Sequence, residues 1–205
     1  DKHREGTWVF FDLVGTGAIG ELIDQVLAQV DPLDATLAAD LDRLEVVRGH
    51  RAAAAHEYFA AIAGRWDEER SLHAPDDVVE AAITDTLADR PYHTVLDLGT
   101  GTGRMLQLLI GDRSDVRAVG LDNSHSMLAV ARANLERTEI RGVDLRQGDV
   151  YSPPVEPGFD VVVLHQVLHF LEDPARAVHE ARRLLAPGGR LLIVDFAPHS
   201  LEFLR

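Results

Sequence analysis

Three acids follow three successive candidate strands: Asp97 in Val95-Leu96-Asp97-Leu98, Asp122 closing Val119-Gly120-Leu121-Asp122, and Asp149 in Gly148-Asp149-Val150. In an open parallel sheet the carboxyl ends of the strands line the ligand crevice, so three such carboxylates can converge on one bound molecule. Between the first two acids lies Gly99-Thr100-Gly101-Thr102-Gly103, with a glycine at every second position and a helical pattern from Arg104. Glycine permits positive φ in a tight turn and leaves no Cβ between main chain and ligand. A strand, a glycine turn and a helix start form a cradle that a nucleoside cofactor can approach closely. Asp122 lies roughly 20 residues beyond the turn, where an acid accepts hydrogen bonds from both ribose hydroxyls. Asp149 can accept from an exocyclic adenine amine while the Val150 N–H donates to a ring nitrogen. Together they would read an adenosine. Any one acid alone is as well explained as a helix or turn cap; the ordered set of three favours the ligand.

Glycine spacing bears on which nucleoside. A dinucleotide fingerprint requires G-x-G-x-x-G. Counted from Gly99 the third glycine position falls on Arg104, and counted from Gly101 it falls on Leu106. Neither frame fits.

These residues need a scaffold, and the pattern from Tyr92 onward supplies one. Strands are expected at Thr94–Leu98, Arg117–Leu121, Asp144–Gln147, Phe159–Leu164 and Arg190–Asp195. Helices are expected at Gly103–Ile110, Ser124–Glu136 and Pro174–Leu185. Apolar strands alternating with amphipathic helices predict an α/β fold with a doubly wound, mostly parallel sheet. Val161-Val162-Val163-Leu164 is apolar on both faces, as a central strand should be. Upstream, Thr7–Val14 reads as a strand after a polar turn at Arg4-Glu5-Gly6. Ile19, Leu22, Ile23, Val26, Leu27 and Val30 share one helical face, expected to be buried against its own domain or a second subunit. Further helical stretches follow at 33–47, with Leu37, Leu41 and Leu44 on one side, at the alanine-rich 52–63, and at 75–89.

Composition narrows the classes. With 205 residues the chain can hold one well-buried domain and an appendage. A net charge of −14 repels phosphate backbones, which disfavours nucleic-acid binding by these residues and suits solubility. Zero cysteines exclude disulfides, thiolate metal sites and cysteine nucleophiles. The ten histidines show no metal-ligand clustering, so no metal is expected. No apolar run nears the roughly 20 residues of a membrane span and no leader pattern opens the chain, so no membrane contact and a cytoplasmic location are expected. The chain opens on Asp1 within an apparent structural element, which predicts a fragment.

The motifs resemble those of class I S-adenosylmethionine-dependent methyltransferases. The carrying residues are the Asp97–Gly103 turn, Leu121-Asp122, Gly148-Asp149-Val150, Phe159-Asp160-Val161-Val162-Val163 and Leu184-Leu185-Ala186-Pro187-Gly188-Gly189-Arg190-Leu191-Leu192-Ile193. The resemblance implies a Rossmann-like domain over 91–205 that binds S-adenosylmethionine or S-adenosylhomocysteine. Asp97, Gly99, Thr100, Gly101 and Gly103 would hold its methionine portion, Asp122 its ribose with Asn123 nearby, and Met127, Asp149 and Val150 its adenine. His165 would stand near the sulfonium and its methyl group. The family's sheet has seven strands; five are counted here, which predicts that the C-terminal strands are missing. Residues 1–50 resemble, less specifically, the wing strand and pairing helix of ArsR-type winged-helix repressors, some of which continue into a methyltransferase-like domain. That implies a homodimer, a connecting or lid segment over 51–90, and DNA contact only through a recognition helix upstream of this chain.

Two groups of residues keep two readings. His165 is the candidate general base, with His169 as a second; either imidazole could equally be a satisfied rim histidine. Tyr58, Phe59 and Trp66 could cover the cofactor, Tyr58 foremost, or simply pack within helices. The expected activity is methyl transfer to a small-molecule acceptor, since no Asn-Pro-Pro-Tyr-type motif follows the fourth strand. The alternative is a domain that senses the cofactor without turnover and adjusts an attached DNA-binding module.

Overall fold

The computed structural model describes residues 2–5, 8–11, 21–22, 25–26, 28–29, 31, 34–44, 46–47, 61, 63 and 76–196. The chain divides into two compact units, Asp1–Ala53 and Ala54–Arg205.

In the first unit, β1 (Lys2–Glu5) and β2 (Trp8–Phe11) form an antiparallel hairpin, Lys2 opposite Phe11 and Glu5 opposite Trp8. The expected polar turn at Arg4-Glu5-Gly6 is therefore corrected, because Arg4 and Glu5 still pair across the hairpin. The aromatic, β-branched run Trp8-Val9-Phe10-Phe11 has strong strand preference and supplies a template that a polar partner can follow. Residues 35–44 are helical, and the Asp34 carboxylate accepts from the N–H groups of Thr36 (2.7 Å) and Leu37 (3.1 Å) as an N-cap. Leu37, Leu41 and Leu44 on that helix are exposed. So are Leu22 and Val26, at 60% and 59% of their full accessible areas, so these two are not covered by their own chain.

The second unit holds α1 (Asp76–Leu87), β3 (Thr94–Leu98), α2 (Arg104–Ile110), β4 (Arg117–Asp122), α3 (His125–Arg137), β5 (Val143–Gln147), β6 (Phe159–His165), α4 (Pro174–Arg183) and β7 (Leu185–Val194). Its sheet runs β5-β4-β3-β6-β7, with every neighbouring pair parallel. The strand order reverses between β3 and β6, so the crevice at a doubly wound switch point opens where β3 ends in Asp97-Leu98 and β6 ends in His165.

Strand alternation sends successive side chains to opposite faces. Val95, Val161 and Val163 pack with Ile83 and Leu87 of α1, Leu106, Leu109 and Ile110 of α2, and Leu135 of α3. Leu96, Leu98, Leu121, Val162 and Leu164 pack with Ala177 and Ala181 of α4, small residues that let the helix sit close to the sheet. Val161 through Leu164 are wholly buried, as a central strand covered on both faces requires. At the opposite end of the sheet, Asp160 Oδ2 accepts from the backbone N–H groups of His93 (2.8 Å) and Thr94 (3.0 Å), aligning β3 with β6.

The last helix ends at Arg183 and not at Leu185, and β7 begins earlier than Arg190. Leu185 already pairs with Phe159, and a register shift between Phe159 and Val161 accommodates Pro187-Gly188-Gly189, where Gly188 has φ +77°. No helix among the described residues is long and apolar enough to cross a membrane.

Candidate functional site

The glycine turn is pinned before any ligand arrives. The Gly99 and Thr100 N–H groups both donate to the Leu121 carbonyl, at 2.8 and 2.9 Å, tying the end of β3 to the end of β4. Gly99, Gly101 and Gly103 have φ of +79°, +53° and +82°, so all three use the left-handed region that glycine alone enters at little cost. Gly103 caps α2, and a Cβ there would stand 3.3 Å from Ala131 Cβ on α3. Arg104 makes two 2.6 Å hydrogen bonds to the Glu80 carboxylate, fixing α1 to the root of α2.

Two acids converge on this turn. Thr100 Oγ1 donates to Asp97 Oδ2 at 2.7 Å, and the Gly101 N–H donates to Asp122 Oδ2 at 2.8 Å. The Ser124 N–H donates to Asp122 Oδ1 at 2.8 Å, while the Ser124 hydroxyl caps α3 by accepting from the Met127 N–H. Each Asp122 oxygen thus has a backbone donor, Gly101 or Ser124, and a carboxylate oxygen can accept more than one hydrogen bond. Burial raises the Asp122 pKa above the ordinary carboxylate value, opposed by the backbone N–H groups of Ser124, Gly101 and Asn123.

Asp97 is the unusual member. It is 1% exposed, and its Oδ1 is buried with no hydrogen-bond partner among the described residues. Burial pushes its pKa up to about 7, with the Thr100 hydrogen bond pulling the other way and the Asp122 charge adding to the rise. A buried orphan oxygen is rare in native interiors and calls for a missing partner. At the base of a glycine turn, a donor or cation on a ligand, or a water, would fit it.

The remaining candidates distribute as follows. Met127 is buried in the first turn of α3, and Asn123 is exposed with its carbonyl accepting from Gln147. Asp149 is exposed, and its carboxylate accepts from the Tyr151 N–H at 2.9 Å. Val150 packs its side chain into the core beside Leu121 and Leu98, leaving only its main chain to meet a ligand. His165 is the half-buried last residue of β6, opposite Val194. Tyr58, like Phe59 and Trp66, lies outside the described residues. No group of three or more metal-ligating side chains occurs among the described residues.

Sequence reasoning missed three contributors. Val167 lies over the turn so closely that a Cβ on Gly99 would stand 2.5 Å from its Cγ2. Gln166 just before it has φ +51°, a sharp bend that turns the chain after β6. Asp195, directly after β7, accepts from the Leu168 N–H at 2.8 Å and meets His169 Nδ1 at 2.6 Å. A signal was present: Asp195 stands at the carboxyl end of an apolar strand, as Asp97 and Asp122 do.

Residues 96–193 match the family model described as "Methyltransferase domain". A demethylmenaquinone methyltransferase of Thermus thermophilus is 34% identical over 145 residues, 68% of this chain and 64% of that protein. A trans-aconitate 2-methyltransferase of an Azoarcus species is 36% identical over 131 residues, 62% of this chain and 49% of that protein. An S-adenosylmethionine-bound amino pentose methyltransferase from Micromonospora echinaspora superposes with a TM-score of 0.53 at 29% identity, covering 64% of this chain and 55% of its own. The chain spans 33% to 64% of the lengths of the first curated relatives it matches.

Proposed function

We propose that residues 96–193, which match a methyltransferase-domain model, form a class I S-adenosylmethionine-dependent methyltransferase domain and that this chain transfers a methyl group from S-adenosylmethionine to a small-molecule acceptor. The observation that carries the reading is the orphan buried oxygen of Asp97 beside a turn whose Gly101 N–H is already bound to Asp122. The donor set fits the cofactor. Asp97 answers the methionine ammonium, directly or through a water, and the Gly99–Gly103 backbone lies along the methionine portion. Asp122 takes the ribose hydroxyls on its two remaining acceptor positions, and Met127, Asp149 and the Val150 main chain border the adenine. When bound, the cofactor supplies an activated methyl group with its leaving group attached. The protein's task is then to position the acceptor, exclude water and remove a proton. His165 stands at the end of β6, beside the switch point where the acceptor would enter.

A second reading concerns the first unit. We read the β1–β2 hairpin as the wing of a winged helix, and Leu37, Leu41 and Leu44 form an exposed stripe at helical spacing that suits pairing with a second copy. Both features fit a homodimeric ArsR-type regulator, a reading that carries with it a cytoplasmic location and DNA contact through a winged-helix module. The second unit would then be its catalytic or its sensing part. One experiment separates the two. The full-length protein is incubated with S-adenosylmethionine and a panel of metabolite acceptors while S-adenosylhomocysteine formation and DNA binding are followed together. Turnover with any acceptor supports the enzyme. Cofactor-dependent release from DNA with no methyl transfer would replace it with the sensor.

A further inference from the structure

We propose that His169, oriented by Asp195, is the general base of the methyl transfer and that the acceptor is a neutral hydroxyl compound of phenol type. The inference rests on the methyl-transfer reading above and adds the acceptor class to it.

The 3₁₀ turn Leu168–Phe170 follows β6, and Asp195 follows β7, its parallel neighbour in the sheet. Both therefore sit at the carboxyl ends of adjacent strands, on the acceptor side of the switch point. Val167, packed against Gly99, holds this segment to the glycine turn. Asp195 is heavily committed. One oxygen accepts from the Leu168 N–H, and the other meets His169 Nδ1 and accepts from the Phe196 N–H at 2.8 Å. These donors hold its carboxyl below the usual range although partial burial opposes them, so it is ionised at neutral pH.

An ionised acceptor at 2.6 Å fixes the proton of a neutral imidazole on Nδ1. The lone pair is then on Nε2, to which no described residue bonds. Orienting one ring nitrogen with a carboxylate so that the other serves as base is the arrangement of hydrolytic triads, here without a protein nucleophile. The rings of Phe170 and Phe196 stand 3.9 and 5.1 Å from the imidazole centroid and fix its plane. Asp195 is a charged group in contact with the ring, at 2.6 Å from Nδ1. The His169 side chain keeps 29% of its accessible area, enough for an acceptor to reach and for the proton to leave afterwards.

In the step, the acceptor O–H bond breaks and its proton passes to Nε2. The oxygen lone pair forms the new O–CH₃ bond while the S–CH₃ bond breaks, its electron pair remaining on sulfur as a thioether. The imidazolium formed is stabilised by Asp195. A carboxylate acceptor carries no proton at neutral pH and would leave the pair without a task.

The test uses the full chain with S-adenosylmethionine and two phenols: catechol, protonated at neutral pH, and the more acidic 4-nitrophenol, largely ionised in mildly alkaline buffer. His169→Gln should lower kcat/KM for catechol by about 10²-fold or more and remove the acidic limb of its pH profile. It should change 4-nitrophenol turnover far less and leave cofactor affinity by calorimetry unchanged. Asp195→Asn, a positioning change, should shift the acidic limb and lower kcat more than it raises KM. The proposal is overturned if His169→Gln affects both phenols equally, or neither, or keeps the wild-type pH profile. Failure of the wild type to methylate either phenol while it binds cofactor, or activity on trans-aconitate alone, also overturns it. Absence of cofactor binding by the wild type would instead remove the methyl-transfer reading, and this inference with it.

Discussion

Replacing Asp97 by Asn should stabilise the protein without cofactor, and by an amount that depends on pH. The Asp97 carboxyl has its pKa raised from 3.8 to about 7, chiefly by burial. The folded state thus holds a proton that the unfolded state releases between about pH 4 and pH 7. A raised pKa contributes stability that is complete below the unfolded value and is lost as pH rises through the folded one. At about 1.4 kcal/mol per unit, the three-unit difference removes on the order of 4 kcal/mol by mildly alkaline pH. Asparagine matches the protonated carboxyl in size, can still accept from the Thr100 hydroxyl, and does not titrate. The Asp97→Asn variant should therefore match wild type near pH 4 and exceed it by up to about 4 kcal/mol near pH 8. For a unit of this size that is a gain of roughly 8–16 °C in Tm. The assay is thermal unfolding by circular dichroism of both proteins, without cofactor, at each pH; differencing the two cancels the other titrating groups. A pH-independent difference, or a wild type more stable at pH 8, would refute the buried-charge account. With S-adenosylmethionine present the order should reverse, because only the carboxylate answers the cofactor's ammonium.

Two further outcomes follow from the turn. Asp122→Ala should abolish most of the rise in Tm that millimolar S-adenosylmethionine or S-adenosylhomocysteine gives, since both ribose acceptor positions disappear; retention of the full rise in a thermal-shift assay would remove Asp122 from the site. Gly99→Ala should cost about 2–5 kcal/mol in denaturant unfolding, from a left-handed alanine and a Cβ only 2.5 Å from Val167 Cγ2. Adding Val167→Ala should recover only part of the steric cost, since its Cβ would still stand 3.0 Å from the new one, above a backbone part of roughly 1–2 kcal/mol.

From Thr94 onward the described fold was legible because its signals are local. Each expected strand and helix from Thr94 onward exists, since short apolar runs between glycine and proline punctuation leave little freedom in assignment. The glycine turn was equally legible: three positive φ values in five residues demand glycines, and the glycines are visible. What sequence could not show were contacts whose partners are far apart along the chain. Asp195 reaches Leu168 and His169, and Val167 closes on Gly99 from the far side of a Rossmann crossover. The orphan state of Asp97 Oδ1 is likewise a property of packing, because an Asp in Val-Leu-Asp-Leu reads the same whether or not its second oxygen is satisfied. The hairpin partner Lys2–Glu5 was missed for a different reason: it is polar throughout and owes its strand conformation to Trp8–Phe11 opposite. The exposed Leu22 and Val26 show the limit of periodicity, which reports an apolar face and not what covers it.

On the reading proposed above, the Asp97–Gly103 turn with Asp122 binds the adenosyl cofactor. Titration calorimetry of the chain with S-adenosylmethionine and with S-adenosylhomocysteine tests it most directly. One site per chain for each ligand, lost in Asp122→Ala and weakened in Asp97→Asn, is the expected result. No heat of binding for either ligand at millimolar concentration, or binding indifferent to both substitutions, would contradict it.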